Sequence, residues 1–215
     1  IEITASKSIV SVQKTLKLMN FKKKTNKMIK KSKRGTKHLT EKNFNKKLNV
    51  KSLNIEGFNV VTISAENQTN KHIIFFHGGA YIIEASKSHR KIIEKFVSDF
   101  GYTVTFIDYP KAPENNYFTT HKITLLAYNQ IVEQYPSDEF ILFGDSAGGG
   151  LALAFLQVLR DENFVPFPKK MILFSPWLDV SMTNAEIKDF ENKDVVLPVD
   201  GLIYAGNLYA AGECI

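Results

Sequence analysis

Apolar residues follow two different periods along this chain, and the change of period divides it. Ile9, Val12, Leu16 and Met19 recur at spacings of three and four, which predicts a helix with one apolar face. Lys7, Lys14, Lys17 and a lysine cluster further on surround that face, so the helix is amphipathic and basic. Thr40, followed by a short lysine-rich segment, predicts a second helix. From Ser52 onward short apolar runs take over: NVVTIS (59–64), HIIFFH (72–77), YTVTFIDY (102–109), EFILFGDS (139–146) and KMILFSPW (170–177). They do not alternate with polar residues, which predicts strands buried on both faces. Between them lie helical stripes: Ile92, Ile93, Phe96, Val97 and Phe100, then Ile123, Leu126, Ala127 and Ile131, then Leu151, Phe155, Val158 and Leu159. Strand and helix alternate, so the fold class is α/β, a mostly parallel sheet with right-handed crossovers and helices on both faces. In such sheets chemistry sits at the carboxyl ends of the strands.

Charge sharpens the division. The net charge is +6, but residues 1–51 hold 16 Lys and Arg against Glu2 and Glu41, a net of +14, while the other 164 residues hold 12 against 20, a net of −8. The basic character therefore belongs to an N-terminal arm, and reading the whole chain as a nucleic-acid binder would mislead. The single cysteine, Cys214, allows no intrachain disulfide and is compatible with a reducing compartment. The first residues show no charged segment leading into an apolar run, so no secretory leader is read and a cytoplasmic location is expected. No apolar run approaches the ~18 residues of a membrane span.

Two glycine-bearing motifs fall at strand ends. In FGDSAGGG (143–150), Gly144, Ser146 and Gly148 fit G-x-S-x-G, in which a serine nucleophile sits on a sharp strand-to-helix turn. The flanking glycines keep that turn free of clashes, and the helix opening at Ala147 points its positive end at the serine. Phosphate-loop readings fail, because no Lys-Ser/Thr follows Gly149 and no G-x-G-x-x-G is present. At the end of HIIFFH comes His77-Gly78-Gly79-Ala80-Tyr81. Backbone N–H groups of such a loop can bind a tetrahedral oxyanion, with the N–H of Ala147 completing the site. His77 then braces the loop; otherwise it is a satisfied structural histidine.

Together, HGGAY (77–81), DYPKAPE (108–114), GDSAGG (144–149) and SPWLD (175–179) resemble the hormone-sensitive-lipase family of α/β-hydrolases, over roughly residues 52–180. The resemblance implies an α/β-hydrolase fold and a carboxylic-ester hydrolase, an esterase or lipase acting on a small-molecule ester, with no cofactor and no metal. It gives Ser146 the nucleophile's role, Gly78, Gly79, Ala80 and Ala147 the oxyanion neighbourhood, and His77, Gly144, Asp145 and Gly148 supporting places. It also implies a helical cap, so the chain divides into a basic cap segment (1–51), a hydrolase core (52–180) and a cap insertion (181–215). One departure stands out: where the family usually has Y-R-L-A-P-E, this chain has Tyr109-Pro110-Lys111-Ala112-Pro113-Glu114, and Pro110 removes the arginine.

The expected order of partners is serine, acid, histidine, yet His38, His72, His77, His89 and His121 all precede Ser146. Two expectations follow. Either the natural protein is longer and brings the family's last strands with their acid and histidine, or the serine has no base and the chain is a non-catalytic, ligand-binding member of the fold. Asp179 is an early alternative for the acid; Asp189, Asp194 and Asp200 read as solvated cap residues. For the arm, three readings stay open: a cap helix roofing the pocket, docking on an anionic membrane surface, and, less favoured, nucleic-acid binding. The oligomeric state has no sequence signal.

Overall fold

The computed structural model describes residues 6–31 and 39–212; His38 and Cys214 lie outside them. The chain opens with helices α1 (Lys7–Leu18) and α2 (Phe21–Lys31), then a 3-10 turn at Glu41–Asn43. The body follows as β1 (Asn49–Ile55), β2 (Phe58–Ser64), β3 (Lys71–Phe76), α3 (Lys87–Phe100), β4 (Thr103–Ile107), α4 (Tyr117–Gln134), β5 (Glu139–Asp145), α5 (Ala147–Asp161) and β6 (Lys170–Phe174). Two further helices, α6 (Ile187–Phe190) and α7 (Val199–Tyr209), come last.

The six strands form one sheet in the order β1-β2-β4-β3-β5-β6. β1 and β2 are antiparallel to their neighbours, whereas β4, β3, β5 and β6 run parallel. The expected mostly parallel α/β sheet is therefore present, with an antiparallel hairpin added at one side. Its turn is Glu56-Gly57, both with positive φ (48° and 95°), the backbone that a two-residue hairpin demands. On the far side, Ile172 and Phe174 of β6 are 42% and 68% exposed.

Four of the five unalternating runs are buried on both faces because helices cover both, but the KMILF run is not: β6 is the last strand of the sheet in the described residues and leaves Ile172 and Phe174 exposed. Ile74 and Phe76 join the layer formed with Tyr128 of α4 and Leu151 and Phe155 of α5. Ile73 and Phe75 face the other way, against Ile93 and Val97 of α3. Each such side chain withdrawn from water contributes about 1.5–3 kcal/mol. α3 is delimited by a capping box between Ser86 and His89 and by Gly101 in the left-handed conformation (φ 66°).

The arm departs from the expected layout in two ways. The segment after Thr40 makes only the 3-10 turn, because it offers one apolar anchor, Phe44, and no helical stripe. The lysine-rich helix lies earlier, as α2, which buries Ile29 and packs on α7. Asp200 at the start of α7 accepts hydrogen bonds from Asn26 (3.1 and 3.0 Å) and pairs with Lys30 (2.6 Å), so it is a cap contact as well as a solvated residue. The Lys22 ammonium donates to the Glu191 carbonyl. α1 forms where its spacing predicts, but Ile9, Val12 and Met19 are 52%, 57% and 52% exposed, and only Leu16 is half-buried.

Candidate active site

The parallel register places the two glycine motifs side by side. Phe76 pairs with Gly144, and Asp145 with Phe174, so the chain leaves β3, β5 and β6 at one level. Leaving β5, it turns through Ser146, whose φ of 51° and ψ of −120° lie outside the favoured regions for a residue with a side chain. The turn is over-determined by its surroundings. Ser146 N–H donates to the Phe174 carbonyl (3.0 Å), and its carbonyl accepts from Trp177 (2.8 Å), Gly149 (3.0 Å) and Gly150 (3.1 Å). A Cβ on Gly144 would lie 2.2 Å from the Gly148 carbonyl oxygen, and one on Gly148 would lie 2.2 Å from that of Phe76. Only glycine permits this approach of helix start to strand end. Ser146 stands at the head of α5, and its hydroxyl does not cap the helix.

The loop after β3 lies against this turn: a Cβ on Gly78 would be 3.1 Å from that of Ser146. Its backbone is also strained, with positive φ at Gly79 (139°), Ala80 (53°) and Tyr81 (58°). Gly78 N–H is committed, donating to Asp145 Oδ1 at 3.0 Å. Among the described residues no hydrogen bond engages the N–H groups of Gly79, Ala80 or Ala147. The strained serine thus stands beside this loop and at the positive end of a 15-residue helix, where negative charge is stabilised.

Asp145 ties the elements together. Its second carboxylate oxygen is 3.2 Å from His89 Nε2 on α3. Burial raises the carboxyl's pKa, but the hydrogen bond and charge of His89, with the Gly78 N–H, outweigh it and hold the group below its ordinary value. His77 is fully buried, stacked on Tyr109 at 4.6 Å and on Phe106 at 5.7 Å, with Nδ1 2.7 Å from the Gly78 carbonyl. Burial, aided by the nearby Lys111 charge, lowers its pKa to about 3, so it is a neutral brace at neutral pH. His72 is likewise held near 3 by burial, between Asp138 (2.9 Å) and Thr105 (2.7 Å). His121, on α4, lines a cavity of about 390 Å³ with Tyr81, Leu151, Trp177 and Tyr209. None of these four histidines is hydrogen-bonded to Ser146. Asp179, the early candidate acid, instead caps its own loop, accepting from Ser181 N–H (2.9 Å) and Thr183 N–H (2.9 Å).

A cluster of buried and half-buried charges, not evident from the sequence, joins the loop's exit to the end of β4. Lys111 Nζ lies 2.6 Å from Asp108 Oδ1 and 2.9 Å from Glu84 Oε2, and donates to the Tyr109 carbonyl at 3.0 Å. Ligand-capable atoms of His77, Glu84 and Asp108 lie within 4.8 Å of one another, a spacing suited to a cation, and the Lys111 ammonium pairs with both carboxylates. The DYPKAPE motif is the only sequence signal here, and it points at the arginine that is missing rather than at the lysine beside it.

Comparison with known proteins agrees with this geometry. A family model described as alpha/beta hydrolase fold matches residues 73–214. An acetyl-hydrolase of Streptomyces hygroscopicus is 31% identical over 146 residues, covering 67% of this chain and 48% of that protein. An esterase of Acinetobacter venetianus is 28% identical over 160 residues, 74% of this chain and 52% of the relative. The chain thus spans about half the length of the curated relatives it matches. Among solved structures, an esterase from the bacterial hormone-sensitive lipase family superposes with a TM-score of 0.75, covering 99% of this chain and 71% of that one at 23% identity, a likeness of fold.

Proposed function

The chain belongs to the alpha/beta hydrolase fold family, and from that premise we propose that it supplies the nucleophile and oxyanion site of a carboxylic-ester hydrolase. One observation carries the proposal: a serine held in strained geometry against a loop that leaves the neighbouring strand end and whose Gly79 and Ala80 amides make no hydrogen bond among the described residues. Ser146 Oγ attacks the ester carbonyl, and its proton passes to a general base. The N–H groups of Gly79, Ala80 and Ala147 receive the developing oxyanion; Gly78 serves indirectly, through Asp145. The alcohol leaves with the proton, and water then releases the acyl group from Ser146. No described histidine reaches Ser146, so the proposal places the base outside the described residues. The aromatic cavity of about 390 Å³ suits an acyl group of modest size.

The test is hydrolysis of a short nitrophenyl ester by the natural protein. Ser146→Ala should lower turnover on the order of 10⁶-fold, leaving only the contribution of the loop and binding. Retained turnover in Ser146→Ala would overturn the proposal. Tight binding of a small ligand, with no ester turned over, would favour a receptor-like member of the fold.

The arm supports a separate reading as two devices. α2 belongs to the cap through α7, while α1 presents its exposed apolar stripe on a segment where every charged residue from Lys7 to Lys31 is a lysine. That combination supports docking on an anionic membrane surface, since apolar residues insert while lysines meet lipid headgroups. Among the described residues no helix is long and apolar enough to cross a membrane. Salt-sensitive binding to phosphatidylglycerol-containing vesicles, lost on deletion of residues 1–35, is the expected result; equal binding after deletion would contradict it.

A further inference from the structure

The segment 108–112 grips the loop 77–84 at three points. Tyr109 Oη donates to the His77 carbonyl at 2.6 Å, Ala112 N–H donates to the Tyr81 carbonyl at 2.8 Å, and Lys111 Nζ pairs with Glu84 at 2.9 Å. The first two points bracket Gly79 and Ala80, and the third fixes the loop's exit. Lys111 is itself anchored, since it is buried and holds Asp108 at the end of β4 and the Tyr109 carbonyl. Without such a frame, three consecutive residues with positive φ would relax, because backbone strain persists only where the surroundings over-determine it.

We infer that Lys111, through Glu84 and Asp108, is a positioning residue that holds the Gly79 and Ala80 amides in place for an oxyanion. This rests on the proposed role of that loop. The chemistry fits the departure from the family's motif, in which this lysine stands where the pattern has leucine, next to the proline that displaces the arginine. A cation on a flexible four-carbon stem can reach back from position 111 to both carboxylates, as the two pairing distances show. The loop is thereby tied to β4, the strand beside β3 in the sheet.

The distinguishing variant is Glu84→Ala, which cuts the loop's tie and leaves Lys111 paired with Asp108, so the core is kept. Amide hydrogen exchange on the full chain reads the loop without relying on catalysis. The Ile82 and Ile83 amides, which donate to the Gly79 carbonyl (3.0 and 2.8 Å), and the Ala112 amide should exchange about tenfold faster or more. Amides of β3 and α5 should be unchanged. Lys111→Met should speed the same amides and, because it also lowers global stability, those of the core with them, so Glu84→Ala alone carries the local test; Lys111→Arg should keep protection close to that of the unaltered chain. In the natural enzyme the parallel expectation is a fall in kcat with KM nearly unchanged, because the amides matter chiefly to the tetrahedral state. Unchanged exchange at Ile82, Ile83 and Ala112 in Glu84→Ala would overturn the inference. So would faster exchange spread evenly over the core, the mark of a merely structural pair. If Ser146→Ala remains active, the hydrolase proposal fails, while the exchange result still decides whether Lys111 positions the loop.

Discussion

Tyr81 is met from opposite sides by two regions built to different tolerances. Toward the elbow it contacts Trp177 (5.8 Å between ring centroids) and Tyr109 (6.4 Å); toward the cap it stacks on Tyr209 of α7 at 3.8 Å. On the elbow side, glycines meet carbonyl oxygens at distances no Cβ tolerates, histidines are buried neutral, and a lysine is enclosed by two carboxylates. On the cap side, α2 holds α7 through Ile29 and a few exposed polar contacts at Asp200, and α1 buries little. The serine turn and the loop beside it are thus fixed by close backbone packing and buried charge, whereas α1 and α2 are held by few and mostly exposed contacts.

The largest stability effect should come from Lys111→Met. It leaves the buried Asp108 and the half-buried Glu84 carboxylates without the Lys111 cation, and removing one partner of a buried ion pair typically costs about 3–5 kcal/mol. Denaturant unfolding should register that loss; a change within about 0.5 kcal/mol would mean the cluster is not buried as described.

Gly148→Ala sets two effects against each other. Alanine favours a helix over glycine by about 1 kcal/mol, but its Cβ would sit 2.2 Å from the Phe76 carbonyl oxygen. Packing should win, with a net loss of about 1–3 kcal/mol, and a stabilised variant would mean that the elbow yields as readily as the cap.

Acid should act on the core before the cap. His72 and His77, with pKa near 3 in the folded state against an ordinary value of 6.5, bind fewer protons folded than unfolded between those limits. Their stabilisation is complete above pH ~6.5 and is lost as pH falls toward ~3, by about 1.4 kcal/mol per pH unit for each histidine. Unfolding free energies measured across that range should show the slope, and His72→Gln should flatten it.

The smallest effect belongs to the cap. Asp200→Ala removes contacts to Asn26 and Lys30 at a side chain 57% exposed, and exposed pairs contribute about 0.2–1 kcal/mol. Thermal unfolding should barely move, while protease sensitivity around α2 should rise.

Much of this was legible in the sequence because the core has few solutions. Runs such as HIIFFH and EFILFGDS, bounded by turn residues and rich in Ile and Phe, point to doubly buried strands, although the similar KMILF run ends exposed at the side of the sheet, and the spacing of glycines around Ser146 points to a close backbone approach. β1 was not legible: NVKSLNI has no apolar run, and it becomes a strand only by pairing along its whole length with β2, from Asn49 opposite Ser64 to Ile55 opposite Phe58. The helix expected after Thr40 failed for the opposite reason, since lysine content suggested an element that no apolar stripe supports. The commitment of the Gly78 amide to Asp145, and the pairing of Lys111 with Glu84 and Asp108, depend on segments brought together by parallel register, which composition does not encode.

The central claim is that Ser146 is a nucleophile prepared by the fold around it. It is tested most directly by treating the natural protein with a fluorophosphonate and mapping the adduct by intact mass and peptide mass spectrometry. One adduct is expected, on Ser146, absent in Ser146→Ala and strongly slowed in Gly79→Val, which puts a side chain where a Cβ would already lie 2.4 Å from the Ile83 carbonyl oxygen. An adduct on another residue, or one that persists in Ser146→Ala, would contradict it.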